Sequence, residues 1–311
     1  MIKTPIFLVG AERSGTTLLR LMLDHHPHIA FHYEFEFAVD QISETGQYPD
    51  LSSYLDYLSD HRIFLASQFE INDALTYPEL VNSFLLQRQQ RVSKPIVGAT
   101  VHHYFDKLPQ IWPQAKFIHL IRDGRDVARS NMPMGWAGNL FVGADRWIEA
   151  EAHWKKLVTQ LSPEQHISVY YEPLIKNPEV ILKQLCVFIG VDFDQSMFEY
   201  AEKSTYSKPD VSITERWRKL PPKDLQLAEC KIADLLQEHG YPLSGLPLIP
   251  VTRWLNWRMR IHDRWKRILF RIRRYSLRLY LADVISRRLG FKQWQKRVKQ
   301  QLNARDEQYL K

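Results

Sequence analysis

The sequence predicts an α/β fold, three layers built on a mostly parallel central sheet, followed by a basic helical extension. Three observations carry that expectation. Short apolar or β-branched runs alternate with helical patterns through residues 1–249, the order that crossovers between parallel strands produce. A pair of glycines, Gly10 and Gly15, separates the first apolar run from the first helical pattern at the spacing of a phosphate-cradling turn. A stretch rich in Pro and Gly, "YPLSGLPLIP" at 241–250, then marks a boundary beyond which periodicity and charge both change. The expected organisation is an α/β domain over 1–249 and an amphipathic extension over 250–311.

Residues 5–10, built around Ile6 to Val9, read as a short buried strand. Residues 16–26 follow as a helix, because Leu18, Leu19, Met22 and Leu23 recur near the helical period and Pro27 stops it. "HYEFEF" at 32–37 reads as extended, and alternation places Glu34 and Glu36 on one side. Further strands are expected at 95–101, 116–122 and 166–171. Helices are expected at 51–59, 78–91, 124–130, 144–160, 178–190 and 223–240. In the extension, Trp254, Trp257, Ile261, Trp265, Ile268, Ile272, Tyr275 and Leu279 recur at steps of three or four, with Arg and Lys over most of the other face. Two readings of that helix stand side by side. One packs the aromatic stripe on the domain; the other turns it toward an anionic membrane surface or an acidic partner.

The net charge of +7 divides unevenly, since residues 250–311 hold 18 Lys and Arg against 4 Asp and Glu. The part that carries the glycine turn is therefore net negative, and nucleic acid is not an expected partner. Cys186 and Cys230 fall in apolar helical patterns without metal-ligand spacing, which fits buried thiols in a reducing compartment. The first residues carry too short an apolar run for a secretory leader. No stretch reaches the roughly 18 apolar residues of a membrane span. The expected location is cytoplasmic, with peripheral membrane contact through the extension as the added alternative.

Chemistry concentrates at two strand ends. The glycine turn follows G-x-x-x-x-G-K-[ST] except that Thr16 stands where a nucleotide triphosphatase has its lysine. Backbone geometry alone builds an anion site there, because the first helical N–H groups lack intrahelical acceptors and the dipole's positive end faces the turn. The cation comes from Arg13, whose planar guanidinium braces two phosphate oxygens at once. The competing reading is a tight connection with no ligand. The second stretch is "KFIHLIRDGRDVARS", 116–130, a strand ending in Arg122 and a helix carrying Ser130 eight residues later. Ligands of open α/β sheets bind at such strand ends, so this pair suits a second phosphate. Its competing reading is a solvated network of Arg122, Asp123, Arg125 and Asp126. Two anion sites on one nucleotide point to a cofactor phosphorylated at both ends of its ribose.

At these stretches the chain resembles the sulfotransferases that use 3′-phosphoadenosine 5′-phosphosulfate (PAPS), nearest to the tyrosylprotein sulfotransferases and bacterial relatives. "RSGTTLL" at 13–19 is similar to their 5′-phosphosulfate loop, and Arg122 with Ser130 to their 3′-phosphate site. The similarity continues through "VYYEPLIKNPEVILKQLCVFIGV" (169–191), "STYSKP" (204–209), Trp217 and "HGYPL" (239–243), and has no counterpart in the extension. It implies a P-loop-like fold, PAPS as donor, no metal, and in-line transfer of a sulfuryl group to a hydroxyl acceptor.

The resemblance also assigns residues. Cofactor contacts fall to Arg13, Ser14, Gly15, Thr16, Thr17, Leu18, Arg122, Ser130, Tyr171 and Lys208, including the backbone N–H groups of Ser14 to Leu18. Arg13 and Lys208 are in addition catalytic, stabilising the phosphosulfate as it is cleaved. Glu34 falls where the tyrosylprotein enzymes have their catalytic glutamate, with Glu36 and His103 as alternative bases. Thr100, Val101 and His102 stand near where many bacterial relatives carry a Lys and a Pro. Residues 35–94 are the expected acceptor wall. Two other functions stay open at this point. One is a P-loop nucleotide kinase-like phosphotransferase, against which the missing loop lysine and the Arg122–Ser130 pair both count. The other is a non-catalytic nucleotide-fold adaptor acting through its basic tail.

Overall fold

The computed structural model of the protein describes residues 1–203 and 209–307. Five strands form one sheet: β1 (Ile6–Val9), β2 (Ile29–Glu34), β3 (Ile96–Val101), β4 (Lys116–Ile121) and β5 (His166–Tyr170). Their order is β2-β3-β1-β4-β5 and every pairing is parallel. The strands are short apolar runs because helices cover both faces. Phe7 and Val9 turn to one face, where they pack with Phe117 and the helices Leu51–Asp60 and Tyr77–Val92. Ile6 and Leu8 turn to the other, against Leu120 and the helices Thr16–His25 and Pro178–Ile189. Hydrophobic burial on two faces of one sheet therefore fixes the three layers.

β1 lies in the middle, and its neighbours β3 and β4 lead the chain to opposite sides of the sheet. The carboxyl ends of β1 and β4 border a crevice at that reversal. The glycine turn follows β1 and Arg122 follows β4, so the topology alone brings the two candidate anion-binding stretches together.

One expectation from the sequence is corrected here. Strict alternation through 32–37 fails, because the β2–β3 register shifts between His32 and Glu34 and the chain then enters a 3-10 turn at Glu36–Ala38. The irregularity re-aims the strand end: Glu34 is exposed and Glu36 is buried. Phe35, Phe37, Tyr54, Phe64 and Phe84 are buried in the core.

The extension is three helices, Arg253–Tyr275, Leu277–Leu289 and Lys292–Glu307. The expected continuous stripe breaks at Ser276, which has φ 75, and Leu279 packs instead with Val298 and Leu302. The first helix docks on the segment after Ser130. The Gly138 N–H donates to Asp263 Oδ1 at 2.7 Å, and Asn139 Nδ2 donates to the Met259 carbonyl at 2.8 Å. Gly135, at φ 73, admits the Phe270 ring where a Cβ would lie 2.2 Å from it.

Candidate functional site

The turn after β1 needs glycine at two positions for separate reasons. Gly10 has φ 140, and a Cβ there would fall 2.5 Å from the Leu120 carbonyl oxygen on β4. Gly15 has φ 95, and its Cβ would meet the Tyr171 ring at 2.3 Å. The close approach seats Tyr171, the first residue of helix Tyr171–Lys176, against the loop. Between them Arg13 holds φ 70, a conformation that costs a non-glycine residue about 1 kcal/mol or more.

That loop and the end of β4 are joined directly. Arg13 Nε donates to Ser130 Oγ at 3.0 Å, and Arg122 Nη1 donates to the Arg13 carbonyl at 3.0 Å. The Arg122 guanidinium also lies 4.3 Å over the Tyr171 ring. Arg13, Gly15, Thr16, Thr17, Leu18, Arg122, Ser130 and Tyr171 thus border one cleft, of about 420 Å³. That is the size of an ordinary small-ligand site. Arg129 and Arg216 add two more cations to its wall. Sequence reading missed both: Arg129 directly precedes Ser130 and Arg216 directly precedes Trp217, yet neither position signals which way its side chain turns.

Ser14 behaves differently from its neighbours. Its N–H donates to the Ala11 carbonyl at 3.2 Å, which removes it from the expected set of loop donors. Its Oγ is buried and has no hydrogen-bond partner among the described residues. The network expected of "RDGRD" also divides. Arg125 is buried between Asp123 (2.6 Å) and Glu229 (2.6 Å), 3.4 Å over the Trp217 ring, and has a structural role. Asp126 accepts the Trp217 N–H at 2.8 Å, which pins the start of the 3-10 turn Arg216–Lys219. Arg122 alone of the four borders the cleft. Lys208 and Ser204 lie outside the described residues.

On the other flank of the loop is a buried chain of polar groups. Glu36 Oε1 accepts the backbone N–H of His102 at 3.0 Å and its Nδ1–H at 2.7 Å. His102 Nε2 in turn lies 3.0 Å from Thr16 Oγ1, at the start of the loop helix. Burial works against charge on His102, but the hydrogen bond and charge of Glu36 outweigh it and raise the imidazole pKa above its ordinary 6.5. Burial likewise opposes ionisation of Glu36, and the hydrogen bond from His102 overcomes it, so that its pKa is lowered. His103 stands apart, half-buried, 3.7 Å from Asp40.

Glu34 ends β2 opposite Thr100 of β3. Desolvation by the surrounding protein raises its carboxyl pKa, and the Glu36 charge adds to the shift. Its solvent contact and its raised pKa together suit a proton acceptor. Among the described residues no group of three or more His, Cys, Asp or Glu is arranged to hold a metal ion.

A parallel sheet whose central crevice joins a glycine turn to a second cationic strand end defines a nucleotide-anion-binding protein of the P-loop type. The chain belongs to the sulfotransferase family, whose model matches residues 5–195. It is similar to protein-tyrosine sulfotransferase 1 of Danio rerio, 24% identical over 276 residues covering 78% of this chain and 73% of that one. It is also 27% identical over 255 residues to an uncharacterized protein of Aquifex aeolicus (strain VF5), covering 70% of this chain. The matched part is 31% of the Aquifex protein's length. The solved sulfotransferase domain from the curacin biosynthetic pathway shares the fold, with a TM-score of 0.55, 18% identity, and coverage of 78% of this chain and 99% of that one.

Proposed function

We propose that this protein transfers a sulfuryl group from PAPS to a hydroxyl acceptor by in-line displacement. The observation that carries the reading is the meeting of Arg13, Ser130 and Arg122 at one cleft. A nucleotide phosphorylated at its 3′ and 5′ positions fits that pair of cationic sites, and the unpaired Ser14 Oγ supplies one more group for an anion to engage.

When bound, PAPS supplies a sulfuryl group whose bond to the 5′-phosphate breaks as a bond to the acceptor oxygen forms. Arg13, the N–H groups that open helix Thr16–His25 and the Thr16 and Thr17 hydroxyls hold the 5′ end and stabilise negative charge there. Arg122, Ser130 and Arg129 hold the 3′-phosphate, with Tyr171 beside the loop. Glu34 takes the acceptor's proton on its carboxylate. His102, whose pKa Glu36 raises, in its charged form donates to Thr16 Oγ1 and so leaves the Thr16 hydroxyl proton free to face the donor. Lys208 is kept as a further contact on the phosphosulfate. No metal takes part in this reading, and the α/β domain of 1–249 contains the whole of the site.

The acceptor class is a hydroxyl compound, and a tyrosyl peptide is the first to try given the name of the Danio relative. The deciding experiment incubates the protein with sulfur-labelled PAPS and candidate acceptors. Label transferred by the native chain and lost in Arg13→Ala and Glu34→Ala supports the reading; ATP-dependent, magnesium-requiring phosphorylation with no sulfuryl transfer overturns it in favour of a kinase.

A further inference from the structure

The helix Arg253–Tyr275 presents two unlike faces. Met259 and Asp263 are buried against the domain, and Phe270 fits over Gly135. At 3.6 residues per turn, Trp254, Trp257, Ile261 and Trp265 fall together on the opposite face. They are exposed, with the three tryptophans at 61%, 61% and 63% of their full surface. The aromatic stripe therefore does not pack on the domain. A protein rarely leaves such a row of large apolar side chains in water without a use for it.

The charges around the stripe identify its partner. Arg253 and Arg264 border one edge and Arg258 the other, the last lying 5.2 Å over the Trp254 ring. Among the described residues Arg253 and Arg264 pair with no carboxylate. Three of the four acids of the extension are turned to other use: Asp263 caps the Gly138 N–H, Asp283 pairs with Arg271 and Arg287, and Asp306 pairs with Arg274. The outer face is thus tryptophan and isoleucine rimmed by uncompensated arginine. Indole rings settle at the depth of lipid headgroups, and guanidinium groups alongside meet headgroup phosphates.

We infer that the helix Arg253–Tyr275 lies in the surface of an anionic phospholipid bilayer, its Trp254–Trp257–Ile261–Trp265 face inserted and its arginines on the headgroups. No described helix is long and apolar enough to cross a membrane, so the contact is a surface one. Because the helix is fastened to Gly138 and Asn139, a few residues beyond Ser130, a bilayer that holds the helix also holds the nucleotide cleft close to the lipid surface. A nucleic acid or an acidic protein would satisfy the arginines but would leave the tryptophan row in water.

Flotation of the full chain with phosphatidylcholine vesicles, with and without phosphatidylglycerol, tests this. The native chain floats with the anionic vesicles and stays below with pure phosphatidylcholine. The variant Trp254→Ser/Trp257→Ser/Trp265→Ser loses flotation, and brominated lipid quenches fluorescence in the native chain more than in the variant. Arg253→Gln/Arg258→Gln/Arg264→Gln weakens partitioning about 100-fold, since each cation near an anionic surface contributes roughly fivefold. All six positions are exposed, and an unchanged melting temperature shows that the variants remain folded. A native chain that ignores anionic vesicles, or a tryptophan variant that floats equally well, overturns the inference. So does binding confined to polyglutamate or DNA. None of these readouts depends on sulfuryl transfer.

Discussion

Glu36 and His102, 66 residues apart in sequence, form a buried pair in which one carboxylate oxygen accepts both the ring N–H at 2.7 Å and the backbone N–H at 3.0 Å. The pair is the rear support of the glycine turn, because the other ring nitrogen rests on Thr16. In the position where related loops place a lysine, this chain has a threonine whose hydroxyl is oriented by an imidazole from β3's end. A charged donor on the loop is replaced by a neutral one backed by a buried charge.

The proton on His102 sets a pH dependence. With His102 charged, Thr16 Oγ1 accepts and its own proton is free for the donor; with His102 neutral, Thr16 must donate to Nε2 instead. The His102 pKa is raised above 6.5, so affinity for adenosine 3′,5′-bisphosphate falls as pH climbs past that raised value. Calorimetric titration of the native chain and His102→Gln across pH checks it. The variant's affinity is lower and flat.

The same pair contributes to stability. The raised His102 pKa gives a contribution fully present below the unfolded value of 6.5 and lost as pH rises through the folded one. The lowered Glu36 pKa gives one present above the unfolded 4.5 and lost as pH falls through the folded one. Glu36→Gln leaves a buried imidazole without its counter-charge and is expected to cost about 3 kcal/mol. Urea unfolding between pH 4.5 and 6.5, where both contributions are present, measures it, and the deficit shrinks as pH rises through the raised His102 value or falls through the lowered Glu36 value.

Glu34, as the proposed proton acceptor, is expected to govern the acidic limb of activity. Its carboxyl must lose its proton before it can accept one, and its pKa is raised, so kcat/KM rises with pH through a value above 4.5. Glu34→Gln lowers kcat by about 10²- to 10⁴-fold while adenosine 3′,5′-bisphosphate still binds. Steady-state kinetics with the labelled donor separate the two effects.

Arg13 and Arg122 are expected to fail differently. Arg13→Ala removes charge stabilisation that grows as the phosphate departs, lowering kcat about 10²- to 10³-fold. Arg122→Ala removes a charged contact made already in the bound state and also frees the Arg13 carbonyl. It therefore weakens nucleotide affinity by about 10- to 100-fold, read as KM and by calorimetry. A chelator leaves affinity of the native protein unchanged.

Gly15→Ala tests the backbone argument. A methyl group collides with the Tyr171 ring, and φ 95 disfavours any side chain. Nucleotide affinity falls at least tenfold, and Tyr171→Ala in the same chain restores only part of it, because the backbone strain persists.

Much of the protein was legible in one dimension. The glycine spacing, the apolar strand runs and the arginine at the end of "KFIHLIR" each follow from local chemistry, so the α/β class and the two candidate anion-binding stretches could be read without coordinates. What the sequence does not encode locally is direction. Arg122 and Arg125 are three residues apart with the same charge, yet one borders the cleft and the other is buried against Glu229, a distinction made by helix 222–238 arriving from far along the chain. Glu34 and Glu36 look equivalent until a register shift against β3 sends one to solvent and the other to His102. The tryptophan stripe is plain in the periodicity, but which face of its helix meets the domain depends on Gly135 and Gly138 offering a closer fit to Phe270 and Asp263. Periodicity and residue type are properties of neighbours in the chain; burial and aim are decided by packing between segments distant in it.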